Sequence, residues 1–333
     1  MIANGMNQWV FAAVLLVTLG WFTQPARGDG DPVQSGRAAY EASDYAKAVQ
    51  ILQGISAKEP QNGEAQLLLT KSYLEMAQYD AAIASAERAV SSNPNNSVYH
   101  EWLGRAFGEK ADHVGPFSGM SLARKTRKEL AAAVALDPGN FSAYQALIEF
   151  DCSAPGIVGG GEDKARPEMA KLAALDVTEG HYAAGNCRRQ KKDFAAADAE
   201  FTKALENHPK SADLIYDIGD YAMKRGQAER LQTVADAGEK IAPQDPRSKV
   251  YRAIALILKK QNVAQAEQLL KEYLQKAPKR SGYPSPSVVH EWMGRLLESE
   301  GQTPAAIKEY ELAAKLDSKN KNAREALKRL GKN

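Results

Sequence analysis

Apolar residues recur along this chain in short blocks, separated by polar stretches and punctuated by Pro and Gly. Gly36-Arg-Ala-Ala-Tyr-Glu-Ala-Ser-Asp-Tyr-Ala-Lys-Ala-Val is one block, and Ser72-Tyr-Leu-Glu-Met-Ala-Gln-Tyr-Asp-Ala-Ala-Ile follows about one unit later. Spacings of three and four residues predict amphipathic helices rather than strands. The blocks come in pairs: a helix A, a short turn, a helix B, then a turn closed by proline. Pro60, Pro94, Pro138, Pro209, Pro243 and Pro278 close six units, because proline cannot continue helix B.

The period is fixed by a near-copy. Ser97-Val-Tyr-His-Glu-Trp-Leu-Gly-Arg105 recurs 190 residues later as Ser287-Val-Val-His-Glu-Trp-Met-Gly-Arg295. With its glycine as the phase mark, units begin near residues 29, 63, 97, 141, 178, 212, 246 and 287. Small residues return in phase: Gly104, Gly185, Gly219 and Gly294 in helix A, then Ala48, Ala82, Ala197 and Ala306 early in helix B, then Ala89, Ala133, Ala204 and Ala313 later in it. Residues this small let two helix backbones approach to about 8–10 Å, with larger neighbours filling the grooves.

A small residue in helix A, two alanines in helix B and a closing proline, in units of about 34 residues, resemble the tetratricopeptide repeat. The resemblance implies an all-α, right-handed α-solenoid of about eight helix–turn–helix repeats: 29–62, 63–96, 97–140, 141–177, 178–211, 212–245, 246–280 and 287–320. Residues 321–333 then supply a capping helix and tail, which a solenoid needs over its last apolar face.

The ruler breaks in three places. The third unit has about ten extra residues, around Gly108–Gly119, and the fourth about five, in Ser153-Ala-Pro-Gly-Ile-Val-Gly-Gly-Gly161; both are expected as loops emerging side by side on one edge. Ser281-Gly-Tyr-Pro-Ser-Pro286 forms a stiff connection before the eighth unit. The glycine run lacks the Gly-Lys-Ser/Thr ending of a phosphate loop, and Glu162-Asp163 would repel an anion, so it reads as a packing loop. Together with Gly115-Pro-Phe-Ser and the basic run after Ser121, it is similar to a recurring group of exported bacterial tetratricopeptide proteins, a likeness that brings no activity with it.

Composition narrows function by exclusion. Lys+Arg (43) and Asp+Glu (41) nearly cancel in the 333 residues, which gives no reason to expect nucleic acid as a partner. The apolar run Trp9–Phe22 has fourteen residues, about 21 Å as a helix against a hydrocarbon core of about 30 Å. Residues 1–28 therefore read as a signal peptide ending at Ala26-Arg-Gly28, which leaves no integral span in the mature chain. Export, to the periplasm of a bacterium, is the expectation, and a membrane anchor through residues 9–22 is the competing one. Cys152 and Cys187, late in neighbouring helices A, would be able to pair after export.

No metalloprotease, hydrolase-elbow or Cys-x-x-Cys motif occurs, and no cofactor or metal is expected. His100, His181 and His290 share one register position and read as packing residues, and His208 precedes the helix-terminating Pro209; His113, beside Asp112 in the first insertion, is the one histidine left without such a role. The resemblance implies a non-catalytic protein- or peptide-binding scaffold whose concave groove is lined from helix A. Mapped here, groove candidates are Glu101, Trp102, Arg105, Glu291, Trp292, Arg295, Lys71, Tyr182, Arg189 and Tyr216. The pattern that captures acidic C-termini in chaperone-binding members is missing, since Val33 and Arg37 occupy two of its positions. A second surface comprises the insertions, with His113, Pro116, Phe117, Pro155, Gly156, Ile157, Val158, Gly159, Gly160 and Gly161. A small-ligand receptor or degenerate enzyme built on those two loops is the alternative.

Overall fold

In a computed structural model the structure describes residues 31–278 and 280–331; the expected signal peptide lies outside them. Helices pair in chain order: α1 (Pro32–Glu41) with α2 (Tyr45–Lys58), α3 (Gly63–Glu75) with α4 (Tyr79–Ser92), α5 (Ser97–Ala111) with α6 (Pro116–Leu136), and α7 (Phe141–Ser153) with α8 (Glu162–Leu175). The series continues with α9 (Val177–Gln190) and α10 (Phe194–Glu206), α11 (Ala212–Arg225) and α12 (Ala228–Ile241), α13 (Arg247–Lys259) and α14 (Val263–Lys276), and α15 (Pro286–Ser299) and α16 (Thr303–Leu316). α17 (Lys321–Arg329) ends the array, and no strand occurs among the described residues. The fold is an all-α repeat solenoid.

Local chemistry sets the helix ends. Asp44, Asn62, Asn96, Asn140, Asp193 and Asn320 each accept a hydrogen bond from a backbone N–H in the first turn of the following helix, satisfying donors that the helix leaves free. Asp176 closes α8 and caps α9 at once, so these helices meet with a single residue between them.

The core follows the repeats rather than a centre. Separate buried clusters join Leu52, Leu68 and Leu69 in the first units, Leu130, Leu147 and Leu172 in the middle, and Ile215, Val234, Ile254 and Leu270 further on. Glycines in helix A admit a neighbour: a Cβ on Gly185 would stand 2.5 Å from the Phe201 ring. At the end, Ala323 and Ala326 of α17 cover Ala306, Tyr310 and Ala313.

The first insertion departs from expectation. Only residues 112–115 link α5 to α6; the extra residues lengthen the helices to 15 and 21 residues. Pro116 starts α6, where its missing N–H costs nothing. Gly119 packs in the second turn, since a Cβ there would meet the Ala111 carbonyl at 3.1 Å. The second insertion does form a loop, with a 3-10 turn at Gly156–Val158.

Candidate functional site

The duplicated segment is mostly stitching. Ser97 donates to the Ala133 carbonyl (2.8 Å) and accepts from Asn140, the cap of the next helix (2.9 Å). Ser287 repeats this with the Ala313 carbonyl (2.8 Å) and Asn320 (3.0 Å). His100 and His290 each lie 2.7 Å from a glutamate on their own helix B, Glu129 and Glu309, and His181 pairs likewise with Glu200. Glu101 is buried and accepts from Arg105 (2.9 Å), Ser142 (2.6 Å) and Asn140 (3.1 Å). Glu291 is also buried and pairs with Arg295 (2.7 Å). The serine relay was missed in the sequence, although Asp-x-x-Asn before both following helices (137–140 and 317–320) was a signal for it.

The two tryptophans differ. Trp292 is 4% exposed and packs in the cluster that holds Ile254 and Val289, so it has almost no surface to offer a partner. Tyr216 is 1% exposed, stacked on Tyr251 with ring centroids 5.7 Å apart. Both therefore leave the groove set. Trp102 is half-buried and faces the concave side, with the Lys71 ammonium 4.5 Å from its ring centre and the Arg105 guanidinium 5.6 Å away. Tyr182 and Arg189 both bond the Asp217 carboxylate (2.9 and 3.2 Å). Burial, reinforced by Asp217, pushes the Tyr182 hydroxyl well above the ordinary tyrosine range.

A cavity of about 790 Å³ occupies the concave face. Lys71, Arg105, Glu149, Asn186 and Asp220 line it from the same register position of successive helices A. Along this row the side chains run from basic at Lys71 and Arg105 to acidic at Glu149 and Asp220. The connection between α14 and α15 borders the cavity as a strap. Ser281 donates through its hydroxyl (2.6 Å) and its N–H (3.3 Å) to Glu75, 206 residues away on α3. The guanidinium groups of Arg247 and Arg280 lie 4.4 and 5.0 Å from the centre of the Tyr283 ring, and Arg280 donates to its hydroxyl (3.3 Å).

A second cavity, of about 890 Å³, opens beneath the glycine loop and shares Lys71, Trp102 and Arg105 with the first. The insertions meet there: Arg124 of α6 donates to the Ile157 carbonyl (3.2 Å). Gly159 and Gly161 have φ of 97° and 130°, and a Cβ on Gly160 would stand 2.3 Å from the Ala154 carbonyl. Glycine is needed here for backbone geometry. Pro116, Pro155 and Gly156 are exposed, as are Phe117 (86%) and Ile157 (68%), whereas Val158 is buried beneath the loop. His113 bonds the Glu109 carbonyl (2.8 Å) and the Tyr79 hydroxyl (3.2 Å), which accounts for both its nitrogens without Asp112. Among the described residues no group of three or more His, Cys, Asp or Glu could hold a metal. Cys152 and Cys187 are joined as a disulfide, Cα–Cα 5.4 Å, across α7 and α9.

Residues 39–105 match the family model of the tetratricopeptide repeat, a stretch that ends on Arg105 and contains Lys71 and Trp102. The chain carries tetratricopeptide repeats. No curated protein sequence matches it. Similar solved structures include a thermophilic tetratricopeptide protein of Thermus thermophilus (20% identity, 55% of this chain and 93% of that one, TM-score 0.45). Others are the C-terminal part of a repeat-containing protein from Cytophaga hutchinsonii (18%, 89% and 99%, TM-score 0.41) and a tetratricopeptide repeat protein from Parabacteroides merdae (11%, 90% and 97%, TM-score 0.42). A tetratricopeptide fold suggests a scaffold for protein partners. No described helix of the array is long and apolar enough to cross a membrane.

Proposed function

We propose that this tetratricopeptide array is a non-catalytic scaffold of the bacterial cell envelope, holding a non-helical segment of a protein partner in its concave groove. One observation carries the reading. A non-helical stretch of the chain itself already borders that groove, with Ser281 bonded to Glu75 and the Tyr283 ring close to the guanidinium groups of Arg247 and Arg280. A partner segment would use the same kinds of contact further along, on Trp102, Arg105 and Tyr182. Export is supported by the apolar run at residues 9–22 and by the Cys152–Cys187 bridge, which persists where the surroundings are oxidising.

A second reading rests on Phe117 and Ile157, large apolar side chains exposed on the edge where the insertions meet. The alternative of a receptor or degenerate enzyme built on two inserted loops loses one of its loops, because the first insertion is helical. Affinity capture from an envelope extract separates the groove from the edge. The groove reading expects Trp102→Ala and Arg105→Ala to lose the partner, and Phe117→Ala with Ile157→Ala to keep it. The opposite result moves the site to the edge.

A further inference from the structure

The edge where the insertions meet carries a surface that the groove reading leaves unused. Phe117 and Ile157 are 86% and 68% exposed, and Pro116, Pro155 and Gly156 beside them are exposed as well. No charged side chain interrupts either tip. Exposed apolar area of this kind is unfavourable in water and marks a contact surface. Arg124 stands two helical turns beyond Phe117 on the same face of α6, about 10.5 Å along its axis, and its guanidinium donates to the Ile157 carbonyl (3.2 Å). The two tips are thus held on one edge by the same helix.

The turn bearing Ile157 is prepared to leave water. The Val158 N–H donates to the Pro155 carbonyl (3.1 Å) and the Gly159 N–H to the Gly156 carbonyl (3.0 Å). With Arg124 on Ile157, three successive carbonyls are taken, and backbone groups already paired cost less to withdraw from solvent. The charges around the tips are mixed but lean positive. Arg127 is paired with Asp151, Glu129 with His100, Glu162 with Lys191 and Glu168 with Lys171. Among the exposed remainder on α6 and the start of α8, Arg124, Lys125, Lys128, Lys164 and Arg166 outnumber Asp163, together with Glu109 and Asp112 at the end of α5. The exposed side chains of α6 itself include three of these cations and no carboxylate.

We propose that this edge docks on a lipid surface rich in anionic head groups, with Phe117 and Ile157 entering the acyl boundary and Arg124, Lys125 and Lys128 meeting the phosphates. Apolar area and electrostatic attraction add in such a contact. Phe117 and Ile157 project singly and line neither cavity described above, so they offer no groove to a partner helix or peptide; a fluid bilayer needs none. The concave groove stays assigned to the protein partner.

The test places an environment-sensitive fluorescent amino acid in the full chain at position 117 or, as a control, at position 87 on α4. Each protein is titrated with vesicles of phosphatidylcholine alone or mixed equally with phosphatidylglycerol. A label reports its own surroundings, so binding through residues 9–22 does not by itself move the signal at 117. Mixed vesicles are expected to shift the emission at 117 to the blue and saturate it, phosphatidylcholine alone to need at least about 10-fold more lipid, and position 87 to stay unchanged. Ile157→Ser should weaken the response about 10-fold, and Arg124→Gln with Lys125→Gln and Lys128→Gln should abolish the preference for phosphatidylglycerol. No shift at 117, equal shifts at 117 and 87, no preference for the anionic lipid, or a preference that survives loss of the three cations overturns the proposal. So does a shift at 117 produced by lipid-free envelope extract and not by vesicles, which assigns the edge to a protein. The comparison of the two vesicles needs no charge variant, so it decides even if that variant does not fold. Protein-partner capture is a separate readout, so failure here and failure of the groove reading are distinguishable.

Discussion

Asp151 is fully buried, and Arg127 holds its carboxylate through bonds of 2.7 and 3.0 Å, tying α6 to α7. Removing one partner of such a pair strands the other, so Arg127→Ala should cost about 3–5 kcal/mol by urea denaturation. A second residue-scale prediction concerns pH. Burial raises the Asp220 carboxyl above its usual range, even though it accepts a 2.7 Å bond from Tyr251. Between the unfolded and folded pKa the native state holds more protons, so Asp220 lowers stability as pH rises through that window. Asp220→Asn removes this burden. Its stability relative to the wild type should be greater at pH 7 than at pH 3.5, measured by urea midpoints; an equal difference at both would refute the assignment. At this scale the sequence was legible where a residue meets its own repeat and opaque where it meets the next. Trp102 and Trp292 sit in nearly identical segments, yet Ile254 and its neighbours bury one while Lys71 and a cavity leave the other half-open.

Helices were the most legible level, because 3.6-residue periodicity, asparagine or aspartate caps and closing prolines all pointed the same way. The misreading at residues 108–119 came from treating glycine as a mark of loop. Gly108 and Gly119 are instead small helical residues packed beside Thr126 and Ala111. Two predictions belong here. The Cys152–Cys187 bridge, 35 residues apart in sequence, should contribute about 4 kcal/mol if it acts by restricting the unfolded chain. Replacing both cysteines by serine should therefore lower the thermal midpoint, and added reductant should then have no further effect. Gly160→Ala should also destabilise, because the obstructing atom is a backbone carbonyl that cannot swing aside; an unchanged melting temperature would show that the loop can shift as a unit.

At the scale of the molecule, repeats stacked by nearest-neighbour interfaces curve until the strap before α15 reaches α3. Sequence periodicity predicts the array but not this closure, since a contact across 206 residues depends on the small rotation between units summed over several of them. Glu75→Ala should release the strap and speed amide exchange at residues 280–283, with the helices unaffected. The central claim is that the concave face, not the outer face or the inserted edge, holds the partner. The most direct test places a photo-crosslinking amino acid at position 102 in one protein, at position 87 on helix B in a second and at position 117 on the edge in a third, then irradiates each in envelope extract. The account predicts a discrete protein adduct from position 102 and none from 87 or 117. Adducts from 87 or 117 with none from 102 would contradict it.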